Sequence, residues 1–125
     1  MKYEICKTGT SMGSVIDVYV DTETDEGCVL CEESLIVQPK MIIGIKCDSW
    51  SNVVDTLHHE VSEFIATEMG LRFRKTGQFG DGNFIFLCDH EQFTEWSMRT
   101  TTAFLMALPF LDKEWRKLHK LKSRK

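Results

Sequence analysis

The amino-acid sequence predicts one α+β domain, in which an N-terminal antiparallel β-sheet carries two main α-helices packed on it. The chain has 125 residues, of which 42% are apolar and 27% charged, and only 2 are proline. That composition is typical of a globular domain with one hydrophobic core. The spacing of the apolar residues also changes, from alternation in residues 1–47 to helical spacing after residue 48. We therefore expect residues 1–125 to form a single domain whose first 47 residues are mostly strands.

Residues 1–47 contain four apolar segments that we interpret as strands. The first two alternate apolar and polar residues, as half-buried strands do. The other two are rich in Val and Ile, and Pro39 separates them. The segments are one that begins near Tyr3, then 14–20, 28–37 and 41–47.

A helix is predicted over residues 50–69. Residues 48–51 include residue types that cap helices, and Gly70 is suited to follow the last turn. At 100° per residue, one face of this helix is apolar. That face contains Val53, Val54, Leu57, Val61, Phe64 and Ile65, and Ala66 falls on the opposite, polar face. The segment 71–75 and a flexible hairpin turn over residues 77–82 follow, and a short strand is expected at 83–88.

A second helix is predicted over residues 90–108. Asp89 and Gln92 have the spacing of a capping box, in which each side chain bonds the backbone of the other residue. Pro109 interrupts the helical pattern, so a separate, short basic helix is expected over residues 111–123. The predicted inward stripe of the second helix is Phe93, Trp96, Thr100, Phe104 and Leu108.

The charge of the chain is unevenly distributed. The net charge is −4, and residues 112–125 contribute +5, so residues 1–111 carry −9. Because phosphate contacts require a basic surface, an acidic body argues against nucleic-acid binding. The sequence contains neither an apolar segment long enough to span a membrane nor the apolar region of a signal peptide, so a cytoplasmic protein is expected.

The five cysteines are odd in number and scattered along the chain, which favours free thiols over a disulfide framework. Cys28 and Cys31 form an isolated CxxC pair. A strand would place the two thiols on opposite faces, so we interpret them as small buried apolar residues rather than as a metal or redox pair.

The most specific motif is HExxE, formed by His59, Glu60 and Glu63 inside the first helix. Residues four apart on a helix lie one above the other, so His59 and Glu63 can bind one metal ion. Glu60 is rotated by about 100° and can act as general base toward a metal-bound water. A catalytic zinc needs three protein ligands and one open position.

His90 is the preferred third ligand. It stands in the first turn of the second helix, whereas His119 lies in the basic tail and His58 is rotated away from His59. Asp89 and Glu91 are alternatives, either as oxygen ligands or as groups that orient an imidazole.

The segment 55–108 resembles small, phage-type zincin-like proteins, which are distant relatives of minimal metallopeptidases. The matching residues are the HExxE motif and the second motif that begins at His90. The second motif departs from the family pattern, because the pair His90-Glu91 stands where the family often has two adjacent histidines. The resemblance implies that His59, Glu63 and His90 bind zinc and that Glu60 is the general base.

One other interpretation of the motif stays open at the level of sequence. HExxE also occurs on helix faces that are simply solvated. The chain is then a non-catalytic, acidic, phage-type protein that binds and inhibits a host factor, with its negative charge steering it toward a basic partner surface. Phage origin would place either protein in the host cytoplasm.

Overall fold

The computed structural model describes residues 1–9, 15–30, 39–74 and 84–121. These residues form an α+β fold with an N-terminal sheet, as predicted. The elements in chain order are β1 (Lys2–Gly9), β2 (Val15–Asp21), β3 (Gly27–Leu30), β4 (Lys40–Gly44), α1 (Trp50–Glu68), β5 (Arg72–Arg74), β6 (Phe84–Phe86) and α2 (His90–Leu118).

The first four strands form a mixed sheet in the order β1-β2-β4-β3. The pairs β1–β2 and β3–β4 are antiparallel, but β2 and β4 are parallel, with Val18 beside Met41 and Val20 beside Ile43. The prediction of a wholly antiparallel sheet was therefore wrong. Turn residues between two segments indicate that the chain changes direction, but they do not determine which earlier strand a later strand joins. Here β4 pairs with β2, and β3 occupies the edge of the sheet as far as the described strands extend.

One face of the sheet forms the core with both helices. Alternate residues of β2 and β4 point to this face, as strand geometry requires. The side chains of the core that come from β2, β4 and the residue after β4 are fully buried: Ile16, Val18, Val20, Met41, Ile43 and Ile45. The alternation predicted for residues 14–20 is confirmed over the part that the structure describes.

Helix α1 closely follows its prediction. The Ser49 side chain caps it by accepting a hydrogen bond from the backbone N–H of Asn52, at 3.4 Å. Gly70 follows the helix with a φ of 70°, a conformation that glycine adopts without strain. Of the predicted apolar face, Val54 is half-buried. The buried residues of α1 are Val53, Leu57, Glu60, Val61, Phe64, Ile65 and Ala66. Ala66 and Glu60 are buried although the pattern did not place them on the apolar face.

Helix α2 is continuous from His90 to Leu118 and contains Pro109. The predictions that the helix ends at 108 and that a separate basic helix follows were therefore wrong. The buried stripe of α2 runs through the proline without a break: Thr100, Ala103, Ala107, Leu111 and Trp115. Packing of this stripe in the core stabilises the helix on both sides of Pro109, which lacks a backbone N–H group. Pro109 has no N–H group to donate to the Leu105 carbonyl, and both residues lie on the exposed side of the helix.

The N-terminus of α2 matches the predicted capping box. The Asp89 carboxylate accepts a hydrogen bond from the Gln92 N–H at 2.8 Å, and the Asp89 N–H donates to Gln92 Oε1 at 3.0 Å. The predicted inward stripe is offset from the observed one. Thr100 is buried, Phe93 is 53% exposed, and Trp96, Phe104 and Leu108 are partly buried.

The two helices run in opposite directions. Trp96 donates a 3.0 Å hydrogen bond to the Ser62 carbonyl. Farther along α2, the centroids of the Phe104 and His58 rings are 5.4 Å apart. Near the end of α2, the centroids of the Trp115 and Trp50 rings are 5.3 Å apart. Each successive contact moves forward along α2 and backward along α1, which defines an antiparallel pair.

The remaining strands, β5 and β6, form a separate antiparallel pair. The short strand predicted at 83–88 corresponds to β6, whereas the segment 71–75, which contains β5, was not assigned as a strand. The turn at 77–82, residue Cys31, and the ends of the segments 28–37 and 111–123 lie outside the described residues. Within the described ranges, neither helix has the length and apolar character that a bilayer-spanning segment needs.

Candidate metal centre

His59 and Glu63 form the exposed part of the candidate centre. They lie four residues apart on α1, and His59 Nε2 is 3.4 Å from Glu63 Oε1. The His59 side chain is 64% exposed and the Glu63 side chain 31% exposed. The contact follows from helix geometry, which superimposes residues separated by one turn. The pairing of these two residues predicted from the motif is present in the structure.

Glu60 forms the buried part of the centre, with only 7% of its surface exposed. Strand β3 covers it. A Cβ atom built on Gly27, the first residue of β3, would lie 3.1 Å from Glu60 Cγ and 3.3 Å from Glu60 Oε1. The same atom would lie 2.6 Å from Thr56 Cγ2, one turn earlier on α1. A glycine therefore lets the backbone of β3 approach α1 closely enough to enclose the Glu60 side chain.

The three residues of HExxE can supply ligand atoms to one ion. One ligand atom from each of His59, Glu60 and Glu63 lies within 4.8 Å of the other two. In tetrahedral zinc sites with nitrogen and oxygen ligands, neighbouring ligand atoms are roughly 3.3–3.5 Å apart. The His59–Glu63 distance already has this value, and imidazole and carboxylate are both accepted zinc ligands. The group of three could therefore hold a metal ion, and two of its members already have the spacing of zinc ligands.

The centre borders an open hollow of about 480 Å³ between α1 and the start of β3. Glu60 and His59 line it, together with the exposed carboxylates Glu26 and Asp55. Three acidic side chains in one hollow create a negative potential that attracts cations. Gly27 and Thr56 complete its lining.

The Glu60 carboxylate also affects the ionisation of a cysteine in β3. The pKa of the Cys28 thiol is raised, first because burial disfavours the thiolate and then because the Glu60 carboxylate repels its negative charge. Cys28 is therefore kept in the thiol form beside the centre. Cys28 is exposed, however, so the prediction that it is a small buried residue was wrong: it lies on a strand at the edge of the described sheet.

His90 is not brought into the centre. It is exposed in the first turn of α2, and the group of closely spaced ligand atoms found among the described residues does not include it. Trp96 contacts α1 at Ser62, and His90 precedes Trp96 by six residues, about 9 Å along the helix axis. Because the helices are antiparallel, going from Trp96 back to His90 corresponds to going from Ser62 toward the C-terminus of α1. His59 lies on the N-terminal side of Ser62, so His90 and His59 lie in opposite directions from this contact. Asp89 and Glu91 share the position of His90 and are likewise outside the group.

Sequence reasoning missed two features of the centre. The first is the burial of Glu60, which the spacing of the apolar residues did indicate. Val53 lies seven residues before Glu60, Leu57 three before it and Phe64 four after it, and this helical spacing places Glu60 on the apolar stripe. The second is the contribution of β3 through Gly27. No local pattern carried that signal, because it depends on which strand occupies the sheet edge above α1.

Comparisons with protein-family models, with curated proteins and with solved structures gave no match.

Proposed function

We propose that this chain is a zinc-binding, zincin-like protein whose metal ion is held by His59, Glu60 and Glu63. The observation that carries the proposal is the mutual approach of their ligand atoms within 4.8 Å, with His59 Nε2 and Glu63 Oε1 separated by 3.4 Å. The enclosure of Glu60 by Gly27 supports it, because a ligand held in place before the metal arrives loses little freedom on binding. The acidic lining of the hollow supports a cationic ligand.

The proposed activity is hydrolysis of an amide or ester. Zinc would act as a Lewis acid that lowers the pKa of a bound water. His59 and Glu63 would fix the ion at the exposed side of the hollow. In this ligand set Glu60 would hold the ion from the buried side of the hollow. The role predicted from the sequence, in which its carboxylate takes a proton from a water as a general base, is the alternative that the Glu60→Gln variant tests.

Zinc content is the direct test. The protein is purified without chelator, loaded with zinc, dialysed and measured by elemental analysis. We expect about one zinc per chain in the wild type and its loss in His59→Ala and Glu63→Gln. His58→Ala is the matched control, since it removes a neighbouring exposed histidine from another side of the same helix. A wild type without zinc would reduce the His59–Glu63 contact to an ordinary ion pair on a helix surface.

Two further variants assign the remaining roles. In Glu60→Gln, retained zinc with lost hydrolysis of a peptide library would make Glu60 the general base, and lost zinc would make it a ligand. His90→Ala should retain zinc, because His90 lies outside the group. Zinc loss in that variant would restore the ligand set predicted from the sequence, in which His59, Glu63 and His90 hold the ion.

The second candidate is a non-catalytic inhibitor of a host protein. The observation that favours it is the charge of −9 on residues 1–111, to which the exposed Glu26 and Asp55 contribute. Such a protein would bind a basic surface through charge complementarity. A partner captured from host lysate, released by moderate salt and unaffected by chelator would support this function. Release by chelator would instead connect the partner to the metal centre.

A further inference from the structure

Helix α2 exposes large apolar side chains on the side that faces away from the core. Met98 is 66% exposed, Leu105 56%, Met106 51% and Phe110 48%. Among the described residues, α1 has no large hydrophobic side chain that is comparably exposed. Exposed apolar residues that cluster on one helix face indicate an interaction surface.

The spacing of the exposed residues identifies the kind of contact. We define the outer face of α2 by its exposed residues at alternating spacings of four and three: Glu91, Glu95, Met98, Thr102, Leu105 and Pro109. This alternation averages 3.5 residues, the repeat by which one helix packs along another. Met106 and Phe110 flank the outer face and widen its apolar part.

The middle of the outer face suits close packing. Thr102 is a small residue, and its hydroxyl already donates a 2.9 Å hydrogen bond to the Met98 carbonyl of its own helix. Burying Thr102 would therefore leave no hydroxyl without a partner. Toward the N-terminal end, Glu95 is ion-paired with Arg99 of the same helix.

Charge determines which partner fits. The outer face begins with the acidic Glu91, and one turn after Pro109 the exposed Lys113 extends it with a basic residue. We propose that the outer face of α2 binds the same face of a second copy, in antiparallel orientation, to form a twofold-symmetric dimer. Antiparallel packing places the acidic end of each face against the basic end of the other, whereas parallel packing would place like charges together.

The sequence of the face satisfies the symmetry of this dimer. Met98 and Met106 are equally distant from Thr102 along the helix, and so are Glu91 and Lys113. With the twofold axis at Thr102, Met98 of one copy lies opposite Met106 of the other, and Glu91 opposite Lys113. Each contact then occurs twice, as a twofold interface requires. The antiparallel helix dipoles also attract one another.

The first experiment is sedimentation of the wild type over a concentration series up to about 1 mM, which covers weak association. We expect a reversible monomer–dimer equilibrium. Leu105→Glu should raise the dissociation constant by about 100-fold or more, because it buries a charge in each half of the interface. Leu87→Glu is the matched control: Leu87 is 55% exposed but lies outside α2, so the dimer should be retained. A wild type that stays monomeric, or equal effects of the two variants, would overturn the proposal.

A charge exchange tests the orientation of the helices. Glu91→Lys and Lys113→Glu each place like charges opposite one another, and each should weaken the dimer by a factor on the order of 3 to 10. An equimolar mixture of the two variants can form a heterodimer in which every pair is again opposite in sign. We expect the mixture to dimerise as tightly as the wild type. If the mixture dimerises no more tightly than either variant alone, the antiparallel dimer is ruled out. The proposal is also overturned if the chain stays monomeric and its outer face binds a different protein.

Discussion

The backbone of Gly27 lies directly against the side chain of Glu60, with room for a hydrogen but not for a Cβ atom. The added carbon would come within 3.1 Å of Glu60 Cγ and 2.6 Å of Thr56 Cγ2. Glycine at the start of β3 thus sets the distance between the sheet edge and α1. The position of Glu60 in the candidate centre depends on that distance.

Gly27→Ala is accordingly expected to lower the free energy of unfolding by about 1–3 kcal/mol, the usual cost of overpacking. Because Glu60 must shift, the variant should also bind zinc more weakly. Thr56→Ser in the same chain removes the nearest methyl group and should recover part of the stability. Urea unfolding and zinc titration measure both effects. Gly70→Ala is the control, since a Cβ there meets nothing within 4 Å and the cost arises from its φ alone. Equal losses without rescue by Thr56→Ser would contradict the packing argument.

A second prediction concerns the contact between the end of α2 and the start of α1. The buried Trp115 indole donates a 2.8 Å hydrogen bond to the Cys47 carbonyl, and its ring packs near Trp50. Trp115→Phe removes the donor and should cost about 1–3 kcal/mol, whereas Trp115→Ala also removes the ring and should cost about 3–5 kcal/mol. Thermal unfolding should show this order. A separate terminal helix would instead melt without affecting the main transition, and that result would contradict the continuous α2.

A third prediction is a loss of stability in alkaline solution. Burial raises the pKa of the Cys6 thiol from 9.0 to about 11, and the Glu4 carboxylate adds to the shift. Between these pH values the folded protein retains a proton that the unfolded chain has lost. The contribution of Cys6 to stability is therefore complete below about pH 9 and is lost as pH rises to about 11.

The Tyr3 phenol acts with the same sign, because burial and the Glu114 carboxylate raise its pKa as well. Urea unfolding at several pH values should give a smaller decline for Cys6→Ala than for the wild type. Cys88→Ala, which removes an exposed thiol, controls for loss of a cysteine as such. An unchanged decline in Cys6→Ala would assign the alkaline sensitivity to other groups.

The parts of the fold that depend on local spacing were predictable. The apolar stripe and capping residues of α1 located that helix to within one residue of its observed end, and the Asp89–Gln92 capping box located the start of α2. Strand pairing was not predictable in the same way. The parallel contact of β2 with β4 is made between segments that are distant in sequence, and no local pattern encodes it.

The remaining differences arise where tertiary packing overrides a local rule. Pro109 is unfavourable inside a helix, yet Ala107 and Leu111 are both buried and maintain α2 across it. The HExxE motif gave the contact between His59 and Glu63, because one helix supplies both residues. The position of His90 relative to that pair depends on where α2 meets α1, which the Trp96 hydrogen bond defines only in the folded chain.

The placement of β3 at the sheet edge has a consequence for the motions of the molecule. Among the described strands, β3 pairs only with β4, whereas β2 pairs on both sides. Detaching β3 therefore breaks one set of backbone hydrogen bonds and removes the cover from Glu60 without unfolding the core. We expect the amide hydrogens of β3 to exchange with solvent through local opening, and those of β2 only through global unfolding. The part of the Glu60 side chain that β3 covers would then be exposed to solvent at a frequency set by the stability of a single short strand.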